Sequence, residues 1–220
     1  MSYTNSPLVS YTCLSPNHSG ERNHAIDTVT IHCVVGQASV ETLGNIFVKE
    51  SRQASSNYGI GYDGKIGMYV EEKNRSWCSS SRDNDHRAIT IEVASDTTPP
   101  YKVNEKAMES LVNLLTDICK RNNIKQLLWK ADKNLIGQVD KQNMTVHQWF
   151  ANTACPGEYL YNKHSEIAAE VNKRLSQEIP EQTEELYRVQ CGAFRIRQNA
   201  ENLLQKLKSQ GYTDAFIVKR

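Results

Sequence analysis

The chain has 220 residues and nearly balanced charge, with 26 lysines and arginines against 25 aspartates and glutamates. This length predicts one medium domain plus a small one, and the six cysteines are too sparse for a disulfide scaffold. No apolar run approaches the roughly 18 to 20 residues that cross a bilayer, and the N-terminus lacks the basic and apolar segments of a signal peptide. We therefore expect no membrane insertion and no signal peptide, and we expect no nucleic-acid partner.

The first part of the chain predicts an irregular arm, two strands and a helix. Residues 1–26 are polar and turn-rich, which is typical of an arm without regular structure. Residues 27–35 and 87–94 are rich in β-branched and apolar side chains and predict buried strands. Ser39 is a plausible N-cap for a helix over residues 40–48.

A hairpin is predicted between the two strands. Residues 57–62 and 65–70 have strand composition and flank the dipeptide Asp63-Gly64. This dipeptide favours a two-residue hairpin turn, because both of its residues tolerate positive φ.

The middle of the chain predicts two helices joined by strand and loop. Asn104 is a plausible N-cap for the first helix, and Pro156 suits the first position of the second, which runs to Leu175. Between them, residues 124–129 predict a short strand and residues 130–143 an exposed loop. The apolar face of the first helix consists of Ala107, Leu111, Leu114, Leu115 and Ile118. The body is therefore predicted to be α/β, a mixed sheet with helices packed on it.

The C-terminal part predicts a separate small unit. Residues 176–186 read as a polar linker, followed by a strand over 187–194, a helix over 198–210 and a strand over 215–218. Residues 187–220 carry seven basic and two acidic residues, a net charge of +5. Such a basic module suits contact with an anionic surface or polymer, although a solvated charged face would look the same.

Two histidines, one cysteine and one glutamate are candidates for a metal site. His147 is followed eight positions later by Cys155, and a further histidine, His32, lies in the first predicted strand. Two imidazoles and a thiolate suit catalytic zinc, which takes three protein ligands and leaves one position open. Cys155 precedes a helix, where the dipole favours a thiolate. The alternatives are buried structural histidines, and Cys155 as the nucleophile of a cysteine hydrolase.

Glu92 lies within an otherwise apolar strand. A carboxylate there is costly unless it is used or paired. It is either an ordinary outward-facing glutamate or a general base that takes a proton from water and returns it to a leaving group.

These residues occur in an order that resembles a known family. The motifs are Thr-Ile-His at 30–32, Ser-Asn-Tyr-Gly-Ile-Gly-Tyr-Asp-Gly-Lys-Ile at 56–66, Ala-Ile-Thr-Ile-Glu at 88–92, and His147 with Thr-Ala-Cys-Pro-Gly at 153–157. Together they resemble the zinc-dependent N-acetylmuramoyl-L-alanine amidases of the type-2 family, whose fold is that of the peptidoglycan recognition proteins. The resemblance covers roughly residues 20–175. It implies a central mixed sheet flanked by helices and hydrolysis of the amide between N-acetylmuramic acid and L-alanine in peptidoglycan.

The resemblance assigns roles residue by residue. His32, His147 and Cys155 match the Zn²⁺ ligands, and Glu92 matches the catalytic acid and base. Thr153 matches a position that supports the oxyanion with a Lys or Thr in many relatives. The alternative is a peptidoglycan-binding protein of the same fold without catalysis. One departure stands at 77–79, where Trp-Cys-Ser replaces the Trp-His-Ala of many relatives.

The C-terminal unit resembles the first half of a SPOR domain, which binds peptidoglycan glycan stripped of its stem peptides. The resemblance gives a catalytic domain over 1–175, a linker over 176–186 and a cell-wall-binding half-domain over 187–220. A complete SPOR domain has two βαβ repeats, so the unit would pack on the catalytic domain or pair with a second copy; we favour a homodimer. An enzyme made in the cytoplasm without a signal peptide would reach the wall as a phage endolysin released by a holin, or by another export route.

Overall fold

The computed structural model describes residues 3–177 and 190–218. Each range belongs to its own compact unit. None of the helices in these two ranges is both long enough and apolar enough to cross a membrane.

A six-stranded sheet forms the centre of the first unit, with a small two-stranded sheet beside it. The eight strands are β1 (Tyr11–Thr12), β2 (His18–Glu21), β3 (Thr28–Val35), β4 (Tyr58–Ile60), β5 (Ile66–Met68), β6 (Asn74–Ser76), β7 (Ala88–Ser95) and β8 (Met144–Thr145). The large sheet has the order β1-β5-β4-β7-β3-β8, and β2 pairs with β6. Only β4 and β5 run antiparallel within the large sheet. The fold is therefore the predicted mixed sheet.

Helices pack on this sheet. They are α1 (Val40–Phe47), α2 (Arg82–Arg87), α3 (Glu105–Arg121) and α4 (Gly157–Gln177). The predicted caps are confirmed, because the side chains of Ser39 and Asn104 accept hydrogen bonds from the amides of Thr42 and Ala107 at 3.2 and 3.0 Å. Helix α4 begins one residue after Pro156, a difference within the usual uncertainty of helix ends.

The central strands β3 and β7 have one apolar and one polar face. Side chains alternate along a strand, and Ile31 and Ile91 are fully buried in the core that also contains the apolar faces of α3 and α4. Burial of each such side chain contributes about 1.5 to 3 kcal/mol. On the other face, the Thr30 hydroxyl lies 2.8 Å from that of Thr145, and the Thr90 hydroxyl lies 2.8 Å from that of Ser76. These four hydroxyls are thus hydrogen-bonded to one another in pairs, and the second face is the polar one.

The predicted hairpin is confirmed, but its turn differs. The Gly61 amide donates to the Lys65 carbonyl at 3.0 Å, so the loop has three residues, 62–64. The last of them, Gly64, has φ of +85°. A three-residue loop that ends in a left-handed glycine is a common alternative to the predicted two-residue turn.

The strand predicted over 124–129 does not form. Instead, asparagine side chains supply the hydrogen bonds that a neighbouring strand would have made. The Leu127 amide donates to Asn172 Oδ1 at 2.7 Å, and the Leu128 amide donates to Asn143 Oδ1 at 2.7 Å. The backbone groups are satisfied without a partner strand, which the composition of the segment cannot reveal. The following loop, predicted to be exposed over 130–143, is exposed or half-buried over 130–141, with a 3-10 turn at Lys133–Leu135. Gln142 and Asn143 are instead buried, because their side chains accept hydrogen bonds from the backbone amides of Lys130 and Leu128.

The N-terminal arm was predicted to be irregular, but it contains β1 and β2. Strand β1 adds to the edge of the sheet beside β5, and β2 pairs with β6. These strands form because distant residues supply their hydrogen-bond partners, and the sequence of the arm carries no strand pattern of its own.

Within residues 190–218, the second unit contains one helix, α5 (Arg197–Ser209), as predicted. The flanking strands do not form within the described residues. Both segments, 190–194 and 215–218, are irregular. Strands need a ladder partner and a buried face, and no residue of 190–218 is buried. The linker beyond residue 177 and the start of the predicted strand at 187–189 lie outside the described residues, and the domain boundaries remain a prediction.

Candidate metal and catalytic site

Two of the predicted site residues lie opposite each other on the central strands. His32 of β3 is in register with Glu92 of β7 in a parallel pair. Residues in register on neighbouring parallel strands point to the same face, about 4.8 Å apart. His32 is 1% exposed, whereas Glu92 is half-buried. The Glu92 carboxylate is therefore accessible from solvent, while the His32 imidazole is buried at the base of the candidate site.

His147 and Cys155 lie on a loop that closes on itself. A 3-10 turn begins at His147, and the Gln148 amide donates to the Cys155 carbonyl at 3.0 Å. The Cys155 amide donates to Thr153 Oγ1 at 3.2 Å. The loop therefore holds His147 and Cys155 near each other. The Thr153 hydroxyl stabilises the backbone of Cys155 by accepting its amide hydrogen bond.

The structure brings His32, His147 and Cys155 together. One possible ligand atom of each lies within 4.8 Å of the others, and the His32 and His147 ring centroids are 5.0 Å apart. His32 Nδ1 lies 3.4 Å from Cys155 Sγ. Nitrogen and sulfur ligands of a tetrahedral zinc ion are about 3.6 Å apart, given the usual Zn–N and Zn–S lengths. The three residues fit zinc in both chemistry and spacing.

The protonation of these groups also suits a cation. Burial lowers the pKa of His32 to about 3, with His147 adding to the shift, and burial lowers the pKa of His147 as well. Both imidazoles are therefore neutral near pH 7, the form that binds metal. The hydrogen bond with Cys33, burial and the Glu92 carboxylate raise the pKa of Cys155. A bound cation acts in the opposite direction and favours the thiolate.

Glu92 has the environment of a proton carrier. Burial raises its pKa to about 8, with the negative charge of a Cys33 thiolate adding to the shift and the Arg52 guanidinium opposing it. A bound cation acts in the opposite direction and favours the carboxylate, the form that accepts a proton. The Cys78 thiol lies 3.9 Å from Glu92 Oε1. Burial and the same carboxylate raise the pKa of Cys78, so this thiol stays protonated beside Glu92.

A second cluster overlaps the first. His32, Cys78 and Glu92 also offer ligand atoms within 4.8 Å of one another. The clusters share His32 and differ in the thiol, Cys155 or Cys78. Occupation of the second cluster would use Glu92 as a ligand and remove it from proton transfer.

Sequence reasoning missed Ser80 and Asp85, which border the site. Ser80 Oγ lies 3.0 Å from His147 Nε2. The buried Asp85 carboxylate accepts from the amides of Cys78 and Ser79 at 3.0 and 3.1 Å. A serine within a polar run has no pattern that separates it from a surface residue. Asp85 could have been noticed only as an N-terminal acid of a short helix.

Residues 22–158 match the family described as N-acetylmuramoyl-L-alanine amidase. The chain belongs to this family. As an amidase of this family, it hydrolyses the peptidoglycan amide between N-acetylmuramic acid and L-alanine. Residues 183–220 match the SPOR domain. Both matched regions point to peptidoglycan as the polymer bound and to the cell wall as the place of action.

Solved structures with a similar fold include an endolysin, AmpD and PlyL. A mutant endolysin from Bacillus subtilis is 15% identical, with a TM-score of 0.55 over 73% of this chain and 97% of its own. AmpD, as its selenomethionine derivative, is 17% identical, with a TM-score of 0.54 over 76% of this chain and 99% of its own. PlyL is 12% identical, with a TM-score of 0.52 over 78% and 97%. At these identities the likeness establishes the fold of the amidase. No curated protein gives a significant match to the chain.

Proposed function

We propose that the amidase binds Zn²⁺ through His32, His147 and Cys155 and uses Glu92 as its acid and base. The observation that carries this proposal is the approach of the three ligand atoms to within 4.8 Å, with Glu92 in register with His32 on the next strand. A bound zinc ion supplies Lewis-acid chemistry, polarising a carbonyl and making water more acidic.

The protein's own residues supply proton transfer and alignment. The Glu92 carboxylate accepts a proton from the attacking water and returns it to the alanine nitrogen as the amide bond breaks. The Thr153 hydroxyl donates a hydrogen bond to the oxyanion. Because this donor is neutral, it contributes less than a cation would.

Thr153→Val should therefore lower kcat by about tenfold or less. A loss of kcat as large as that expected for the Glu92→Gln variant would contradict this minor role.

The Glu92→Gln variant tests the proton-transfer role. Digestion of purified cell walls, with mass analysis of the bond cut, should show turnover reduced by about 10² to 10⁴, while elemental analysis still finds zinc. The exposed Glu158 on α4 offers a matched control, and Glu158→Gln should keep wild-type turnover. Wild-type turnover in Glu92→Gln would remove Glu92 from the mechanism.

Chelation separates this reading from a cysteine hydrolase. The wild-type enzyme should lose activity when zinc is removed and regain it when zinc is returned. Full activity without metal would favour Cys155 as a nucleophile.

We also propose that two copies of the amidase pair through the second unit. Support comes from apolar side chains that stay exposed there, including Phe216 at 70%, Ile196 at 62% and Tyr212 at 60%. An exposed apolar surface of this kind is typical of an interaction site, and a second copy supplies an identical surface under two-fold symmetry. Size-exclusion chromatography with light scattering should give twice the 25.0 kDa chain mass. A monomer at all concentrations would contradict the pairing.

A further inference from the structure

Ser80 combines two unusual features next to a candidate ligand. Its Oγ lies 3.0 Å from His147 Nε2, and its φ is +63°. Residues other than glycine seldom adopt this left-handed conformation, and those that do cluster at functional sites.

Hydrogen bonds to buried and helix-capping residues hold the loop that carries Ser80. Cys78 and Ser79 donate their amides to the Asp85 carboxylate, and Asp85 is 2% exposed. The side chain of Ser81 caps helix α2 by accepting from the Asn84 amide at 3.3 Å. Hydrogen bonds therefore hold the residues on both sides of Ser80, which restrains the backbone from which its hydroxyl extends.

The contact determines which nitrogen of His147 is free. Ser80 occupies Nε2, so Nδ1 is the nitrogen left for a metal. A ligating histidine needs its other N–H to be bonded, because that bond sets the tautomer and the orientation of the ring.

We propose that Ser80 is a positioning residue for the metal site. Its Oγ accepts from Nε2–H of His147 and fixes the ring with Nδ1 directed to the ligands. This inference rests on the proposed zinc site and adds a residue that the family resemblance did not assign.

Substitution by glycine separates the hydroxyl from the backbone. Ser80→Gly removes the hydrogen bond but suits positive φ, so the metal-free variant should unfold at or above the wild-type temperature. Its zinc affinity, measured by competition with a chromophoric chelator, should fall about 5- to 10-fold, as expected for loss of one neutral hydrogen bond to a ligand. Ser80→Asn should recover much of this affinity, because asparagine tolerates positive φ and offers an acceptor oxygen.

Asn123 provides the matched control. It also has positive φ, at 57°, and lies just after α3. Asn123→Gly should leave the zinc affinity unchanged. As a second readout, nitrogen-15 spectra of the zinc-loaded wild type should show the His147 proton on Nε2.

The outcomes distinguish this inference from the proposed function. A wild-type protein that binds no zinc overturns the proposed function itself. A wild type that binds zinc, together with a Ser80→Gly variant of equal affinity, overturns the role of Ser80 alone. A His147 proton found on Nδ1 in the zinc-loaded protein would overturn it as well.

Discussion

Two thiols approach His32, and only one of them can complete a given metal site. Cys155 Sγ lies 3.4 Å from His32 Nδ1, while Cys78 belongs to the overlapping cluster with Glu92. Serine is a poor substitute for a thiolate ligand. We expect Cys155→Ser to lose bound zinc in elemental analysis after gel filtration, and Cys78→Ser to retain it. Loss of zinc in Cys78→Ser with retention in Cys155→Ser would instead show that the metal binds at the second cluster, with Cys78 and Glu92 as ligands.

His164 makes the stability of the fold depend on pH. It is fully buried on α4, 4.4 Å between ring centroids from Trp129. Burial lowers its pKa to about 4, opposed by a hydrogen bond to the Leu160 carbonyl. Below pH 6.5 the unfolded chain binds a proton that the folded chain excludes until about pH 4. Stability therefore falls as the pH drops through this window, by about 3 kcal/mol in total.

The His164→Phe variant isolates this effect. Phenylalanine keeps a ring beside Trp129 and Tyr161 but cannot titrate. Urea unfolding at pH 7 and pH 4.5 should show a smaller loss of stability in the variant than in the wild type, by about 2 to 3 kcal/mol. His32, whose pKa is also lowered by burial, adds to the slope in both proteins. Equal losses in the two proteins would show that His164 is protonated in the folded state.

At the scale of elements, the segment 124–129 depends on two asparagines rather than on a strand. Asn172 both accepts from the Leu127 amide and donates to the Leu127 carbonyl, at 2.7 and 2.9 Å. Asn172→Ala should lower the free energy of unfolding by about 2 kcal/mol, because it leaves both backbone groups unpaired. Asn162, exposed on the same helix, is the control, and Asn162→Ala should change stability by less than about 0.5 kcal/mol. Equal unfolding midpoints would mean that water replaces the amide.

Local patterns predicted the elements whose partners lie close in sequence. Helices α1 and α3 were predicted together with their caps, and β3 and β7 to within a residue. The failures lie where distant residues decide. Asn143 and Asn172 replace a strand partner for 124–129, and β1 forms only because β5 accepts it.

The site divides in the same way. The motifs that surround His32, Glu92 and Cys155 allowed them to be selected from the sequence, through their resemblance to a family. His32 and Cys155 are 123 residues apart in the sequence, and only the fold brings their side chains together. Ser80 could not be predicted, since neither its positive φ nor its contact with His147 has a counterpart in composition.

At the scale of the whole molecule, pairing of the second unit should depend on its exposed apolar residues. Phe216 and Ile217 are 70% and 46% exposed, and a Phe216→Ser, Ile217→Ser double variant should sediment as a monomer at concentrations where the wild type is a dimer. Tyr62, 48% exposed in the first unit, gives a control, because Tyr62→Ser should remain a dimer. A double variant of unchanged mass would place the interface elsewhere.

The register of β3 against β7 has a practical consequence for the recovery of active enzyme. His32 and Glu92 meet because the two strands pair without offset. A slip of one residue would turn one of the two side chains to the opposite face of the sheet. The same slip would turn the apolar side chains of that strand out of the core, so a misregistered chain would be less stable and would have no paired centre. Activity per protein molecule in a refolded preparation therefore counts the molecules whose central strands are correctly aligned, which a circular dichroism spectrum would not resolve.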